Sequence, residues 1–479
     1  MVDDIRKFFT NIRSIKQPIL TDISSGTVLN GKELLDLVDK TAAFLEEHNV
    51  KPKDTFLCLA DNNIETALLV LAAMRHGCCA SILPSNFDEQ DLAFWNDNLS
   101  ASAIIDTRGD SAFAGTNGPS IHFRCASLTD FAQKLPQDVE GNLPFIITFT
   151  SGTTGSQKAI YHQASSFINC AGQFNDVSQI SENDRFLNFM PMHYMAGIFN
   201  GIIAPLERGA AVLIAPAFSI ETVLNLHAVI DENKITSMWI SPSMLAMLVK
   251  LDRSGKNFSS TLKNVFVGTG PLEKELAIQF HSSYGLPALQ SYGLSELLYV
   301  SVDRKDSWMA GTCGQPITGV DVSISKDGTA IIRSPYHFLG WMEKGEFHHS
   351  QEDFQTNDLV QFDSNGRLQI LGRQDEMIIR GGFNISPEAV EQKIKALIPS
   401  EFCVLGYPHS DLGHCIVLAM VGTSVNSDEI KSKCDEVVRT LGNISIDFVV
   451  AVDTIPKTVT GKIKRKLLRQ TAQNILGQK

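Results

Sequence analysis

This sequence lacks the features that mark secreted and disulfide-linked proteins. Its nine cysteines are odd in number and scattered, and no two of them form a C-x-x-C pair, which favours reduced thiols. The chain opens with Met1-Val2-Asp3-Asp4, which does not resemble the start of a signal peptide. We therefore expect a cytoplasmic protein.

Long hydrophobic runs and an excess of positive charge are also missing. The longest apolar runs, residues 66–74 and 209–220, are well short of the roughly 18–20 residues that a membrane-spanning helix requires. The formal net charge is −12, which argues against a nucleic acid or an anionic membrane held by bulk electrostatics. The sequence thus predicts neither a membrane span nor a nucleic-acid partner.

The composition itself is that of a globular protein with a large core. Hydrophobic residues make up 43% of the 479 residues and charged residues 20%, which suits two or three domains. Helical apolar periods at residues 32–48 and 64–75 alternate with buried-strand patterns at residues 55–59 and 79–83. This alternation predicts an α/β fold of mainly parallel sheets flanked by helices.

A loop rich in glycine and hydroxyl groups follows the next predicted strand, residues 144–148. The loop reads Phe149-Thr150-Ser151-Gly152-Thr153-Thr154-Gly155-Ser156-Gln157-Lys158-Ala159. Glycines let backbone N–H groups approach an anion, hydroxyl groups donate hydrogen bonds, and the lysine adds a positive charge, so this loop can hold phosphate. The Walker form needs a different spacing of glycines and a hydroxyl residue after the lysine. A flexible surface linker is the alternative interpretation.

The loop resembles the signature loop of the adenylate-forming superfamily, which includes acyl-CoA synthetases, peptide-synthetase adenylation domains and luciferases. The resemblance covers nearly the whole chain, because further motifs follow in the family's order. It implies that Lys158 is catalytic. It also implies nucleotide contacts from Thr150, Ser151, Gly152, Thr153, Thr154 and Gly155.

Residues 190–197 resemble the family's gate beside the acyl pocket. The resemblance assigns to this pocket His193, Tyr194, Met195, Gly268, Thr269 and Gly270. Amino-acid-activating members have an aspartate where this chain has Met195, and a buried ammonium group without a partner is costly. We therefore expect a fatty, aromatic or other small acid without an α-amine. Plain core packing is the alternative role of His193 and Tyr194.

Residues 290–296 resemble the family's Y-G-x-T-E motif, with serine in place of threonine. By this resemblance Tyr292 stacks on adenine, Ser295 contacts phosphate and Glu296 helps to hold Mg²⁺, which suits carboxylate and phosphate oxygens. An ordinary loop with a solvated glutamate is the alternative.

Residues 355–359 resemble the family's T-G-D motif, which implies that Asp358 binds the two ribose hydroxyl groups. Here Asn357 replaces the glycine, an exchange that asparagine tolerates at positive φ. A turn aspartate is the alternative.

Residues 371–376 match the family's hinge segment. By resemblance Arg373 reaches the ribose, and Asp375 is the hinge about which a small domain turns. We therefore expect a large N-terminal domain at residues 1–373 and a small, mobile α+β domain at residues 374–479.

Two motifs of the small domain complete the resemblance. Gly381 and Gly382 belong to a segment that faces the active site only in the thioester-forming orientation. Residues 455–465 resemble the catalytic-lysine motif and place that lysine at Lys462, where a mobile cation can stabilise charge on the α-phosphate and the acyl carboxylate. A solvated basic helix face is the alternative.

Together these motifs predict an ATP-dependent ligase that needs Mg²⁺ and forms an acyl-adenylate from a small carboxylic acid. A pantetheine thiol then captures the acyl group. The acceptor is coenzyme A or the phosphopantetheine of an acyl carrier protein, and coenzyme A is favoured. A luciferase-type oxygenase and a nucleotide-binding pseudo-enzyme are the rival classes.

Overall fold

The structure is a computed structural model. It describes residues 2–83, 89–108, 120–132, 139–151, 157–343, 345–380, 383–409, 413–422, 427–438, 445–458, 461 and 463–476.

The helices in this part of the chain are α1 (Val2–Ser14), α2 (Gly31–Glu47), α3 (Ile64–His76), α4 (Glu89–Leu99), α5 (Ala164–Ser178), α6 (Ala204–Arg208), α7 (Ile220–Asn233), α8 (Pro242–Leu251), α9 (Lys274–Tyr284), α10 (Pro387–Ile394), α11 (Ser427–Val438) and α12 (Arg465–Leu476). A π-helix, Ala196–Ile203, leads into α6.

The strands are β1 (Pro18–Asp22), β2 (Thr27–Asn30), β3 (Thr55–Leu59), β4 (Cys79–Leu83), β5 (Ile104–Asp106), β6 (Ser120–His122), β7 (Pro144–Ser151), β8 (Gln157–Gln163), β9 (Arg185–Asn188), β10 (Ala211–Ile214), β11 (Ser237–Ile240), β12 (Asn264–Val267), β13 (Ala288–Leu294), β14 (Leu298–Val302), β15 (Gln315–Pro316), β16 (Asp321–Ile324), β17 (Thr329–Arg333), β18 (Gly340–Glu343), β19 (Glu346–His349), β20 (Asp353–Phe362), β21 (Leu368–Arg373), β22 (Ile378–Arg380), β23 (Phe383–Ile385), β24 (Phe402–His409), β25 (Gly413–Val421) and β26 (Phe448–Val452).

The chain divides into two compact units. The first comprises Met1–Asp321 and Arg333–Phe354, and the second comprises Val322–Ile332 and Gln355–Lys479. The domain boundary expected after residue 373 stays a prediction.

Two large sheets with parallel centres form the first unit. One has the strand order β15-β14-β13-β12-β11-β9-β10-β1-β2, and its strands from β13 to β1 are parallel neighbours. The other has the order β19-β18-β8-β7-β4-β3-β5-β6, where β7, β4, β3, β5 and β6 are parallel and β8, β18 and β19 add an antiparallel edge. The predicted α/β class with mainly parallel sheets is confirmed.

Helix α3 shows how the sequence specifies this architecture. Asn63 caps its first turn by accepting a hydrogen bond from the Thr66 N–H, and Gly77 ends it in the left-handed conformation with φ 75°. Almost every residue between is buried, which explains why Ala, Leu and Val fill both faces of the helix. The helix predicted at residues 64–75 and the neighbouring strands predicted at residues 55–59 and 79–83 are confirmed.

The second unit contains an antiparallel sheet of order β16-β17-β20-β21 and a smaller mixed sheet. In the mixed sheet β23, β22, β25 and β24 are antiparallel neighbours, and β26 pairs in parallel with β25. Apolar side chains of α10 and α11 pack on one set of strand residues, and those of α12 on the other. This unit therefore has its own hydrophobic core.

Candidate active site

Three of the predicted motifs lie near or beyond the carboxyl ends of parallel strands in the first sheet. His193 lies just beyond β9, Gly268 directly follows β12, and Tyr292 lies near the end of β13. Strand order places β13 beside β12, and β11 between β12 and β9. Because the carboxyl ends of parallel strands meet at one edge, the fold brings these motifs to the edge where α/β sheets bind ligands.

Gly268 makes the closest approach in the predicted acyl pocket. A Cβ atom there would lie 3.0 Å from Ser291 Oγ and 3.3 Å from Trp239 Cζ3. The next residue, Thr269, has φ 71°, a conformation that costs a β-branched residue about 1–3 kcal/mol. Strain of this size persists where the surrounding structure holds the backbone in place, and such positions cluster at ligand sites.

His193 is buried and carries an unsatisfied polar atom. Its Nε2 has no hydrogen-bond partner among the described residues, and its ring lies 4.5 Å from that of Tyr194. Burial lowers the pKa of His193 to about 4, against a smaller opposing effect of Asp61, so the imidazole is neutral at pH 7. Burial also raises the pKa of Tyr194. Met195 precedes the π-helix, and the pair His193 and Tyr194 thus offers polar but uncharged groups.

Trp239 and Tyr299 belong to an aromatic stack that sequence reasoning missed. Their rings are 5.7 Å apart and nearly parallel, and Tyr299 also stacks on Phe174 at 4.4 Å. Within the described residues, Trp239 Nε1 and the Tyr299 hydroxyl are buried without a hydrogen-bond partner. No motif could have found them, because each lies in a short apolar strand that is typical of core. The place of Trp239 beside Gly268 comes only from the sheet register.

The turn after β13 holds Glu296. A Cβ atom at Gly293 would lie 2.2 Å from the Leu298 carbonyl oxygen, so only glycine fits in this tight hairpin. Leu298 has φ 58°, a second strained position. The Glu296 carbonyl oxygen accepts a hydrogen bond from the Phe338 N–H at 2.9 Å, which ties this turn to the segment before β18. Tyr292 is buried, while Ser295 and Glu296 are half-buried.

Lys158 lies on β8, which pairs with β7 on one side and with β18 on the other in the second sheet. Its Nζ is 3.3 Å from Glu343 Oε2 and 5.2 Å from the centre of the Trp341 ring. Strands β7 and β8 pair up to Ser151 and Gln157, so the predicted phosphate loop closes a hairpin. Thr150 and Ser151 end β7, whereas Gly152, Thr153, Thr154 and Gly155 lie outside the described residues.

The predicted ribose ligands meet within the second unit. Asp358 on β20 stands opposite Arg373 on β21, and Arg373 Nη1 lies 3.3 Å from Asp358 Oδ1. The guanidinium also donates two hydrogen bonds to Asp375, at 2.9 and 3.2 Å. Asp358 is therefore a buried strand residue and not a turn aspartate. Asn357 lies inside β20 and does not adopt positive φ, so this position does not require the conformational freedom of glycine.

Three residues predicted for the small domain, Gly381, Gly382 and Lys462, lie outside the described residues. Described residues before and after Lys462 contact each other. Lys457 and Ile463 form an antiparallel bridge, and the Lys464 N–H donates to the Pro456 carbonyl oxygen at 2.8 Å.

Arg465 begins α12 and is a further residue that sequence reasoning missed. Its guanidinium lies 2.8–3.0 Å from carboxylate oxygens of Glu376, Glu388 and Glu391, and it also donates to the Val404 carbonyl oxygen. Basic residues are frequent near this end of the sequence, and nothing in their pattern indicates which one is buried. The alternative of a solvated basic helix is wrong for Arg465, whose side chain is only 10% exposed.

The donor set around Glu296 fits Mg²⁺ held jointly with a substrate. In the described part of the chain no group of three His, Cys, Asp or Glu residues could hold a metal ion by itself. Magnesium characteristically binds one or two carboxylates and completes its shell with phosphate oxygens and water. Glu296 is one half-buried carboxylate, which is compatible with such a shared site. None of the described helices is long and apolar enough to cross a membrane.

The fold and these residues define a nucleotide-binding α/β enzyme. The model of the AMP-binding enzyme family matches residues 13–333, about two thirds of the sequence, so the chain belongs to this family. The predicted membership of the adenylate-forming superfamily is thereby confirmed.

Individual relatives are similar over nearly their full length. The chain is 24% identical over 480 residues to 2-succinylbenzoate–CoA ligase of Listeria monocytogenes, covering 95% of this chain and 98% of that one. It is 23% identical over 515 residues to oxalate–CoA ligase of Arabidopsis thaliana, covering 98% and 97%. The solved structure of ATP-bound MatB from Rhodopseudomonas palustris has a TM-score of 0.84 at 20% identity and covers 99% of both chains, which supports the fold.

Proposed function

We propose that this enzyme joins a small carboxylic acid to coenzyme A at the expense of ATP. The observation that carries the proposal is the convergence of His193, Gly268, Tyr292 and Glu296 at one sheet edge in a member of the AMP-binding family. Relatives named as CoA ligases favour coenzyme A as the acceptor. A carrier protein is the alternative acceptor.

The reaction has two steps, neither of which needs a redox partner. A carboxylate oxygen of the acid attacks the α-phosphorus of ATP, and pyrophosphate leaves. The thiol sulfur then attacks the acyl carbon, AMP leaves, and the thiol proton passes to solvent. A carboxylate is already ionised at pH 7, so the protein's contribution to the first step is positioning and charge neutralisation.

In the first unit, Thr150, Ser151 and the loop as far as Gly155 would hold the phosphates, with Lys158 as their cation. Tyr292 would stack on adenine, Ser295 would contact phosphate, and Glu296 would hold Mg²⁺. When bound, Mg²⁺ would neutralise charge on the phosphate oxygens.

In the second unit, Asp358 and Arg373 would bind the ribose, a role that suits their adjacent positions on paired strands. Lys462 would supply its charge during adenylation only. Rotation about Asp375 would then present Gly381 and Gly382 for the thiol step.

The acid would lack an α-amine. The acyl pocket would combine neutral His193 and Tyr194 with Met195, and no carboxylate occupies the position that pairs with an ammonium group in amino-acid-activating enzymes. None of the nine cysteines, all of which lie in the described part of the chain, forms a disulfide. This fits a reducing compartment, and we propose the cytoplasm.

A panel of acids tests this function. Pyrophosphate release should depend on one class of acid and on Mg²⁺, and acyl thioester should appear only when coenzyme A is added. Pyrophosphate release with no thioester, on coenzyme A or on a carrier protein, would overturn the assignment. Light emission on mixing the acid with ATP and oxygen would favour a luciferase-type reaction instead.

A further inference from the structure

Lys158 is held between two residues of the neighbouring strand β18. The ion pair with Glu343 spans 3.3 Å, and the side chains are 26% and 18% exposed, so the pair is only partly accessible to water. The Lys158 ammonium also lies 5.2 Å from the centre of the Trp341 ring, within the range of a cation–π interaction. A carboxylate and an indole face therefore both hold the ammonium where it is.

Strand register explains this arrangement. Trp341 pairs with Ile160 and Met342 with Ala159 in antiparallel β18 and β8, so Glu343 stands opposite Lys158. Residues two apart on a strand share a face, which puts Trp341 and Glu343 on the same side of β18. Trp341 is fixed in turn by His348, whose ring stacks on it at 5.0 Å and 19°. Glu343 thus holds a cross-strand position set by the backbone.

The segment just before β18 is connected to the turn that carries Glu296. Phe338 donates its backbone N–H to the Glu296 carbonyl oxygen, and its ring stacks on Trp341 at 5.9 Å. The residues that hold Lys158 are therefore linked to Glu296, the candidate Mg²⁺ ligand, through Phe338. Glu343 would repel phosphates bound by Lys158, so the position of this carboxylate beside the lysine is unexpected.

We propose that Glu343 is a positioning residue that competes with the phosphates for Lys158. Without nucleotide it neutralises the lysine against the Trp341 face. When ATP binds, phosphate oxygens replace Glu343 as the counter-ion. As pyrophosphate dissociates, Glu343 pairs with Lys158 again, which lowers the affinity of the enzyme for this product. This inference rests on the proposed function, in which Lys158 binds phosphate.

Steady-state kinetics of Glu343→Gln at saturating acid and Mg²⁺ test the competition. The KM for ATP and the inhibition constant of pyrophosphate should each fall by about two- to fivefold, the range that partly exposed ion pairs supply. Raising the salt to about 0.5 M should shrink both differences, since screening weakens the pair. A change in the packing of the hairpin alone would not depend on salt in this way.

The matched control is Glu346→Gln. Glu346 pairs with Glu343 across the β18–β19 hairpin and is exposed, so its replacement removes the same charge from the same hairpin. Both constants should stay within about 1.5-fold of the parent, as for most surface changes. If Glu346→Gln reproduces the effect of Glu343→Gln, the effect is one of net charge and the specific competition is wrong.

Lys158→Met separates failure of the inference from failure of the proposed function. It should raise the KM for ATP by about tenfold or more, the scale of a lost charged contact to phosphate. An unchanged KM in Lys158→Met would remove the lysine from the phosphate site. A raised KM in Lys158→Met, together with an unchanged or higher KM in Glu343→Gln, would overturn the competition alone.

Discussion

Gly268→Ala is the sharpest test of the acyl pocket. The added methyl carbon would lie 3.0 Å from Ser291 Oγ and 3.3 Å from Trp239 Cζ3, closer than ordinary van der Waals contact. Gly268 does not adopt positive φ, so the backbone tolerates alanine and the effect comes from contact alone. Trp239 cannot retreat easily, because it is buried against Phe266 at 5.0 Å.

Overpacking of this kind costs about 1–3 kcal/mol, which corresponds to a factor of about 5 to 150. If that cost falls on acid binding, kcat/KM for the acid should drop by this factor and drop more for bulkier acids. The KM for ATP should stay within about twofold, since Gly268 is not assigned to the nucleotide.

Gly270→Ala is the matched comparison, because its methyl would meet only Pro242 Cγ at 4.0 Å. Its loss in kcat/KM should be several-fold smaller. Thermal unfolding of both variants checks that the native state persists at the assay temperature. The proposed place of Gly268 in the acyl pocket is wrong if Gly268→Ala raises the KM for ATP and leaves the KM for the acid unchanged. It is also wrong if the two variants behave alike.

Lys462→Ala should slow adenylation by about 10²–10³-fold while thioester formation from a synthetic acyl-adenylate survives; equal loss of both half-reactions would refute its orientation-specific role. The acid with the highest kcat/KM should exceed any free α-amino acid by at least about tenfold, or 1.4 kcal/mol, because Met195 offers an ammonium no partner; a preferred amino acid would contradict this. Asp375→Pro should retain pyrophosphate exchange and lose thioester formation, whereas Asp375→Ala should keep both within about tenfold; the reverse pattern in separate assays would exclude a hinge. The free energy of unfolding should fall as pH drops from 6.5 to about 4, because the His193 imidazole binds a proton in the unfolded state but resists it when buried. His193→Gln should make this fall less steep in denaturant titrations. An equally steep fall in the variant would show that other groups cause it.

Local pattern was enough to predict the strands and helices that the site is built on. The run at residues 79–83 is a strand with those bounds because a short β-branched and apolar segment, ended by proline, has few alternatives. The strand at residues 144–148 extends three residues further, to Ser151, because its partner β8 continues the pairing into the loop sequence. Cross-strand hydrogen bonding, which lies outside any local window, decided that boundary.

Ordered motifs identified the family, but they could not supply the contacts made across sheets. Glu343 is 185 positions from Lys158, and only the pairing of β18 with β8 brings the two together. Trp239 reads as an ordinary buried strand residue until the register of β11 with β12 sets it against the backbone of Gly268. Such pairs depend on which strands are neighbours, and a single sequence does not give that order.

Asp375, the proposed hinge residue, makes contacts that its motif did not predict. From the sequence Asp375 had no chemical task, since the acid substrate is its own nucleophile. In the structure Asp375 accepts two hydrogen bonds from Arg373, which also lies 3.3 Å from Asp358. Ribose hydroxyl groups that bind Asp358 and Arg373 would enter this shared network. If Asp358 and Arg373 bind the ribose as proposed, Asp375→Ala should weaken ATP binding modestly without blocking either half-reaction, because Asp375 shares the Arg373 guanidinium with Asp358.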